Sequence, residues 1–110
     1  MNDKAYFLHI LESIRKIERY TKNVSFVQFH NHEMMVGATI RELAIIGEAA
    51  KQMGSVGKKQ LPSIPWPDVI AMRNILIHEY FGTDIETIWQ TIQEDLPMLK
   101  KAIQILLKKK

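Results

Sequence analysis

Between Asp3 and Tyr20 the chain places Phe7, Ile10, Leu11, Ile14 and Ile17 at helical spacing, with Glu12, Lys16, Glu18 and Arg19 on the wet side. The spacing predicts an amphipathic helix whose start Asn2 or Asp3 can cap. Asn23-Val24-Ser25 predicts a break, and Ser25 with Gln28 has the form of a capping box. A second, long helix without proline is predicted from there to Met53. Met35, Ala38, Ile45, Ile46, Ala49 and Met53 share one broad face of it, flanked by Val36, Ile40, Leu43 and Ala50. Apolar residues around most of its circumference mark a central helix touched by several neighbours. Gly37 and Gly47 cost helix propensity but permit close contact between helices.

Gly54-Ser55-Val56-Gly57-Lys58-Lys59 is predicted as a loop. It superficially resembles a phosphate-binding loop, but its glycines stand too close together and no Ser or Thr follows the lysine. Pro62, Pro65 and Pro67 then hold the chain extended. Pro67 suits the first position of a third helix, predicted from Pro67 to about Phe81, with Asp68 in its first turn and Gly82 ending it. Thr83 and Glu86 form a second predicted capping box. The last helix lays Ile85, Ile88, Trp89, Ile92, Leu96, Leu99, Ile103 and Leu106 in one stripe, with a kink predicted at Pro97. No segment alternates with period two. The expected fold is all-α: an antiparallel four-helix bundle forming a single domain over residues 1–110.

Composition narrows this reading. A chain of 110 residues can bury roughly two-thirds of its unfolded surface, enough for one core. The absence of cysteine excludes disulfides, thiolate metal sites and a cysteine nucleophile, and fits a reducing cytoplasm. Uninterrupted apolar stretches such as Val69-Ile70-Ala71-Met72 span about one helical turn, so neither a signal-peptide core nor a membrane span is expected. The formal charge of +3 has an uneven source. Lys100, Lys101, Lys108, Lys109 and Lys110 crowd one end without an acid, while the remaining chain holds ten basic and twelve acidic residues. Lysines closing a helix complement its dipole, and that reading stands ahead of a phosphate-binding tail.

Candidate chemistry is sparse. His30 and His32, two apart, point to nearly opposite sides of a helix and make a poor metal pair. His9 sits beside an apolar stripe, and the six methionines suit adaptable core filling. The third predicted helix differs: Arg73, Asn74, His78 and Tyr80 interrupt an otherwise apolar run. Asn74 and His78 share a face, whereas Arg73 and His78 stand roughly 140° apart on an ideal helix. They converge only through the reach of Arg73, a helix distortion, or a second copy of the chain. Arginine offers a charged fork for phosphate oxygens, and histidine exchanges protons near neutrality. The pair suits metal-free RNA cleavage, His78 accepting the proton of a ribose 2′-hydroxyl while Arg73 stabilises the developing charge. Asn74 would orient the imidazole or bind phosphate. On spacing alone, a structural arginine and a hydrogen-bonded core histidine remain the default.

Ile46-Gly47-Glu48-Ala49-Ala50, Ile64-Pro65-Trp66, Met72-Arg73-Asn74 through His78-Glu79-Tyr80, Asp84, Trp89 and Asp95-Leu96-Pro97 together resemble the HepT branch of the HEPN superfamily. The resemblance covers essentially the whole chain. It implies a HEPN-like, dimerising bundle that acts as the toxin of a type II/VII-like toxin–antitoxin pair. It further implies a cytoplasmic, metal-independent endoribonuclease without cofactor, whose Arg-x4-His elements meet in a homodimer cleft. By the same resemblance Arg73 and His78 are the catalytic pair, Asn74 supports them, and the antitoxin, a minimal nucleotidyltransferase, transfers AMP to Tyr80. An adenylylated tyrosine adds bulk and negative charge where an RNA phosphate would sit. Ala71 and Ile75 depart from the usual pattern, Ile75 making the cleft less basic. Glu48 is expected to be structural, pairing with a buried arginine or a helix end. The alternative is a non-catalytic helical module that partners, or is modified by, a nucleotidyltransferase.

Overall fold

The computed structural model describes residues 2–74 and 84–109, and all of its regular structure is helical. Helix α1 (Asp3–Thr21) starts at Asn2, whose side chain accepts the Ala5 amide at 2.9 Å. Of the two predicted caps, Asn2 is therefore the one used. Phe7, Ile10, Leu11, Ile14 and Ile17 are buried, as their spacing requires. Asn23 ends the segment with φ of 60°, a left-handed conformation that asparagine tolerates better than most residues.

The long second helix is divided in two. Helix α2 (Phe26–His30) carries the Ser25–Gln28 capping box, with both reciprocal hydrogen bonds at 2.8 and 3.1 Å. The Asn31 amide and side chain both donate to the Val27 carbonyl and close α2. Helix α3 (Glu33–Gln52) then begins with His32 as its cap, the imidazole Nδ1 accepting the Met35 amide at 3.0 Å. The break frees α2 to bury Phe29 against Trp89, ring centroids 5.1 Å apart, while α3 follows α1. The buried face of α3 centres on Val36, Ile40, Leu43, Ile46 and Ala50. Ile45, which the sequence pattern assigns to the broad apolar face, is 37% exposed.

The glycine-containing segment predicted as a loop holds a short helix, α4 (Ser55–Lys59). Its organiser comes from far away in sequence. Asp3 accepts the Gly54 amide at 3.1 Å, and a Cβ at Gly57 would lie 2.7 Å from the Asp3 carboxylate, so only glycine permits this approach. The contact also shows that the start of α1 meets the end of α3, which makes the pair antiparallel. Trp66 Nε1–H donates to the carbonyls of Lys58 and Leu61, tying the proline-bearing corner to the next helix.

Helix α5 (Trp66–Ala71) has Asp68 in its first turn and Pro67 one position later than predicted, because Trp66 opens the helix. A turn at Met72 follows, and Arg73 and Asn74 are again helical. The remainder of the predicted third helix, with His78, Tyr80 and Gly82, lies outside the described residues, as does Thr83. Helix α6 (Ile85–Gln90) is capped by Asp84, which accepts the Thr87 amide. A π-helical turn (Thr91–Asp95) leads into α7 (Leu96–Lys108). The predicted distortion at Pro97 takes this form. Proline crowds the carbonyl four residues before it and donates no hydrogen bond, and the Leu96 amide bonds back to Thr91 in a widened turn.

Helix α1 packs along α3, α5 packs on α3, α7 on α1, and α2 bridges α3 and α6. Glu18 and Lys100 join α1 to α7 at 2.9 Å. One apolar cluster runs from Phe7 and Trp66 to Phe29, Ile88 and Ile103. Within it Glu42 is only 4% exposed, and its Oε1 has no hydrogen-bond partner among the described residues. No described helix is long and apolar enough to cross a membrane.

Candidate functional site

Arg73 resumes helical structure immediately after the Met72 turn, and its placement is set by two consecutive residues of α3. Gly47 is the first. A Cβ there would stand 2.4 Å from the Arg73 amide nitrogen, 2.9 Å from the Ile70 carbonyl oxygen and 3.0 Å from the Arg73 Cβ. All three atoms are backbone or the first side-chain carbon, so no flexible side-chain end can swing away. The predicted close contact between helices is therefore real at Gly47. It is not present at Gly37, where a Cβ would meet nothing within 4 Å.

Glu48 is the second. Its Oε2 lies 2.8 Å from Arg73 Nε, with both side chains about half exposed (46% and 45%). Oε2 itself is shielded from solvent and makes no well-aligned hydrogen bond, so the contact is an ion pair. The other carboxylate oxygen accepts from Gln52 Nε2 at 3.1 Å, one helical turn further along α3. The expected arginine partner of Glu48 is thus found, although that arginine is half exposed and not buried. Gly47 admits the Arg73 backbone, Glu48 holds the inner edge of its guanidinium, and Gln52 holds Glu48.

The two terminal nitrogens of Arg73 have no hydrogen-bond or ion-pair partner among the described residues. Asn74 is exposed beside it, and its side chain makes no hydrogen bond to a described residue. The arrangement offers a phosphate or another oxyanion up to four N–H donors on a supported arm. Of the four residues singled out on the third predicted helix, the structure describes Arg73 and Asn74, both helical and both exposed. His78 and Tyr80 lie outside the described residues. Nothing in the spacing of the chain marks Glu48 and Gln52 as belonging with Arg73. The short motif Gly47-Glu48-Ala49 is the one sequence signal that points there.

The other polar candidates have structural occupations. His32 caps α3, while His9 and His30 are exposed. Asp84 caps α6, and hydrogen bonds from the Thr87 hydroxyl and amide hold its carboxyl below the usual aspartate range. Among the described residues no three His, Asp or Glu side chains are grouped to hold a metal ion. The recesses among the described residues include two that border the helices around the site. One of about 380 Å³ lies between His30, Asn31, Gly37, Ile40 and Ile85, and one of about 170 Å³ lies between Pro65, Asp68, Met72, Thr91 and Met98. Arg73 lines neither of these two.

Comparison with known proteins places these features in context. A family model described as "Ribonuclease HepT-like" matches residues 10–106. The chain is 41% identical over 105 residues to a protein of Thermococcus cleftensis named "Probable ribonuclease HepT", covering 96% of both chains. It is 39% identical over 103 residues to a protein of Methanocaldococcus jannaschii named "Putative RNase", covering 94% of both. A Caldanaerobacter subterraneus protein, also named "Putative RNase", is 35% identical over 106 residues, covering 96% of this chain and 95% of the relative. No solved structure matches the chain.

Proposed function

We propose that this chain, which belongs to the HepT-like ribonuclease family, is a metal-independent endoribonuclease acting as the toxin of a toxin–antitoxin pair in the cytoplasm. The single observation that carries the reading is Arg73. It is an exposed arginine whose inner edge is held by Glu48 while its terminal nitrogens keep no protein partner among the described residues. A purely structural arginine would spend its terminal donors on carbonyls or carboxylates, because the fork binds them in pairs. Here no described carbonyl or carboxylate takes them.

In the proposed reaction His78 accepts the proton of a ribose 2′-hydroxyl as that oxygen attacks the adjacent phosphorus. The bond from phosphorus to the 5′-oxygen breaks, and the leaving oxygen takes up a proton, giving a 2′,3′-cyclic phosphate and a 5′-hydroxyl. Arg73 stabilises the extra negative charge on the phosphoryl oxygens in the transition state. Asn74 orients His78 or binds phosphate. The 140° between Arg73 and His78 on an ideal helix favours a site completed by a second copy of the chain, hence a homodimer. The test is incubation of purified protein with RNA in EDTA. Cleavage leaving cyclic phosphate ends, and its loss in Arg73→Ala and His78→Ala, is the expected result. Undiminished cleavage in His78→Ala would remove His78 from the mechanism. Cell growth indifferent to both substitutions, with partner binding retained, would favour a non-catalytic binding module.

Tyr80 is the proposed point of control. Attack of the Tyr80 phenolic oxygen on the α-phosphorus of ATP in a partner nucleotidyltransferase, with pyrophosphate leaving and the phenol proton released, would put a bulky anion two residues from His78, opposing RNA sterically and electrostatically. Co-expression with that partner should add AMP masses to the wild type and none to Tyr80→Phe. An unmodified wild type would count against the role.

A further inference from the structure

We infer that Glu48 is a positioning residue for Arg73, an inference that rests on the ribonuclease reading above and extends it to α3. A carboxylate that neutralises arginine frequently meets it fork to fork, with both oxygens on two guanidinium nitrogens. Glu48 does not. One oxygen stands 2.8 Å from Nε, and the other is committed to Gln52 at 3.1 Å. The carboxylate therefore grips the guanidinium by its inner nitrogen and leaves both terminal nitrogens without a partner among the described residues.

The support is layered. Gln52 fixes the rotation of the Glu48 carboxylate, and Gly47 fixes how near the Arg73 backbone comes to α3. Arginine is a long side chain with many rotamers, and an unsupported one would have to be ordered each time substrate bound. Holding Nε removes part of that cost before RNA arrives and sets the plane in which the terminal donors meet phosphate oxygens. Folding is a poor explanation for the pair, because half-exposed ion pairs contribute little to stability.

The charge of Glu48 makes the inference sharply testable. A carboxylate beside the phosphate-binding arginine repels RNA, so if it did nothing else its removal would improve binding and rate together. Positioning predicts a split. Glu48→Gln should lower kcat about 10- to 100-fold while KM for RNA stays constant or falls. Glu48→Asp, which keeps the charge one methylene short, should recover part of kcat. In Arg73→Ala the added Glu48→Gln change should have no further effect on rate. The Arg73 Nε–H resonance, assigned by its loss in Arg73→Lys, should move in Glu48→Gln whether or not RNA is cut. A wild-type kcat in Glu48→Gln beside an inactive Arg73→Ala would overturn the positioning role and leave the ribonuclease reading intact. An unmoved Nε–H resonance would overturn it through the contact itself. Wild-type cleavage by Arg73→Ala would remove Arg73 from the mechanism, and the positioning role with it, whereas absence of RNA cleavage by the wild type would refute the ribonuclease reading.

Discussion

Substituting Gly47 by alanine adds one methyl group where α3 meets the Arg73 backbone. The new carbon would lie 2.4 Å from the Arg73 nitrogen, whereas ordinary contact begins near 3.4 Å, so one backbone must retreat by about 1 Å. Overpacking of this kind costs about 1–3 kcal/mol. Alanine returns about 1 kcal/mol of helix propensity relative to glycine. The net expectation is a destabilisation of roughly 1 kcal/mol, a fall in Tm of about 4–8 °C for a chain of this size. Gly37 supplies the control on the same helix. With nothing within 4 Å of its added Cβ, Gly37→Ala should keep the propensity gain and stabilise by about 1 kcal/mol. The two variants should therefore bracket the wild type, about 2 kcal/mol apart. Urea unfolding followed by tryptophan fluorescence and circular dichroism, at one fixed protein concentration, measures both. RNA cleavage by Gly47→Ala should fall further than stability explains, by about 100-fold, because Arg73 is carried out of place. A Gly47→Ala protein as stable as Gly37→Ala would refute the close approach, and the seating of Arg73 with it.

Three other outcomes follow from the helix ends. Ser25→Ala removes one half of the capping box on α2 and should cost about 1 kcal/mol in urea unfolding. Asp3→Ala removes the carboxylate that anchors the Gly54 amide before α4, and proteolysis within residues 54–60 should accelerate as that segment frays. Asp84 should titrate below the usual aspartate range in a carboxyl NMR experiment and return toward it in Thr87→Val, since the Thr87 hydroxyl is the largest cause of the shift. Because its folded value is depressed, the stability it contributes is present above the ordinary aspartate value and is lost as pH falls through the folded one. An Asp84 titration unchanged by Thr87→Val would refute that assignment.

The parts of the fold legible in the sequence are those decided within a turn or two of helix. The apolar spacing of α1, the Ser25–Gln28 box, the proline corner before Trp66 and the stripe from Ile85 to Leu106 are all local patterns. Where the expectation fails, a distant residue makes the decision. His32 starts a new helix because α2 turns aside to bury Phe29 against Trp89, sixty residues later. The short α4 forms within a glycine-containing segment where Asp3, from the start of α1, holds the Gly54 amide just before it. Asp84 caps α6 one residue beyond the Thr83 of the expected capping box, a difference too fine for propensity to settle.

The candidate site divides in the same way. Residue chemistry and the resemblance to HepT-like proteins single out Arg73, Asn74, His78 and Tyr80 from the chain itself. Their types and order are properties of sequence, as are the all-α class and the lack of any thiol chemistry. Tertiary structure decided what Arg73 can do, since the side chain that grips its Nε comes from another helix, twenty-five residues earlier. An ion pair between helices depends on how closely two backbones approach. Here that distance is set by a missing methyl group at Gly47, whose effect appears only when both helices are in place.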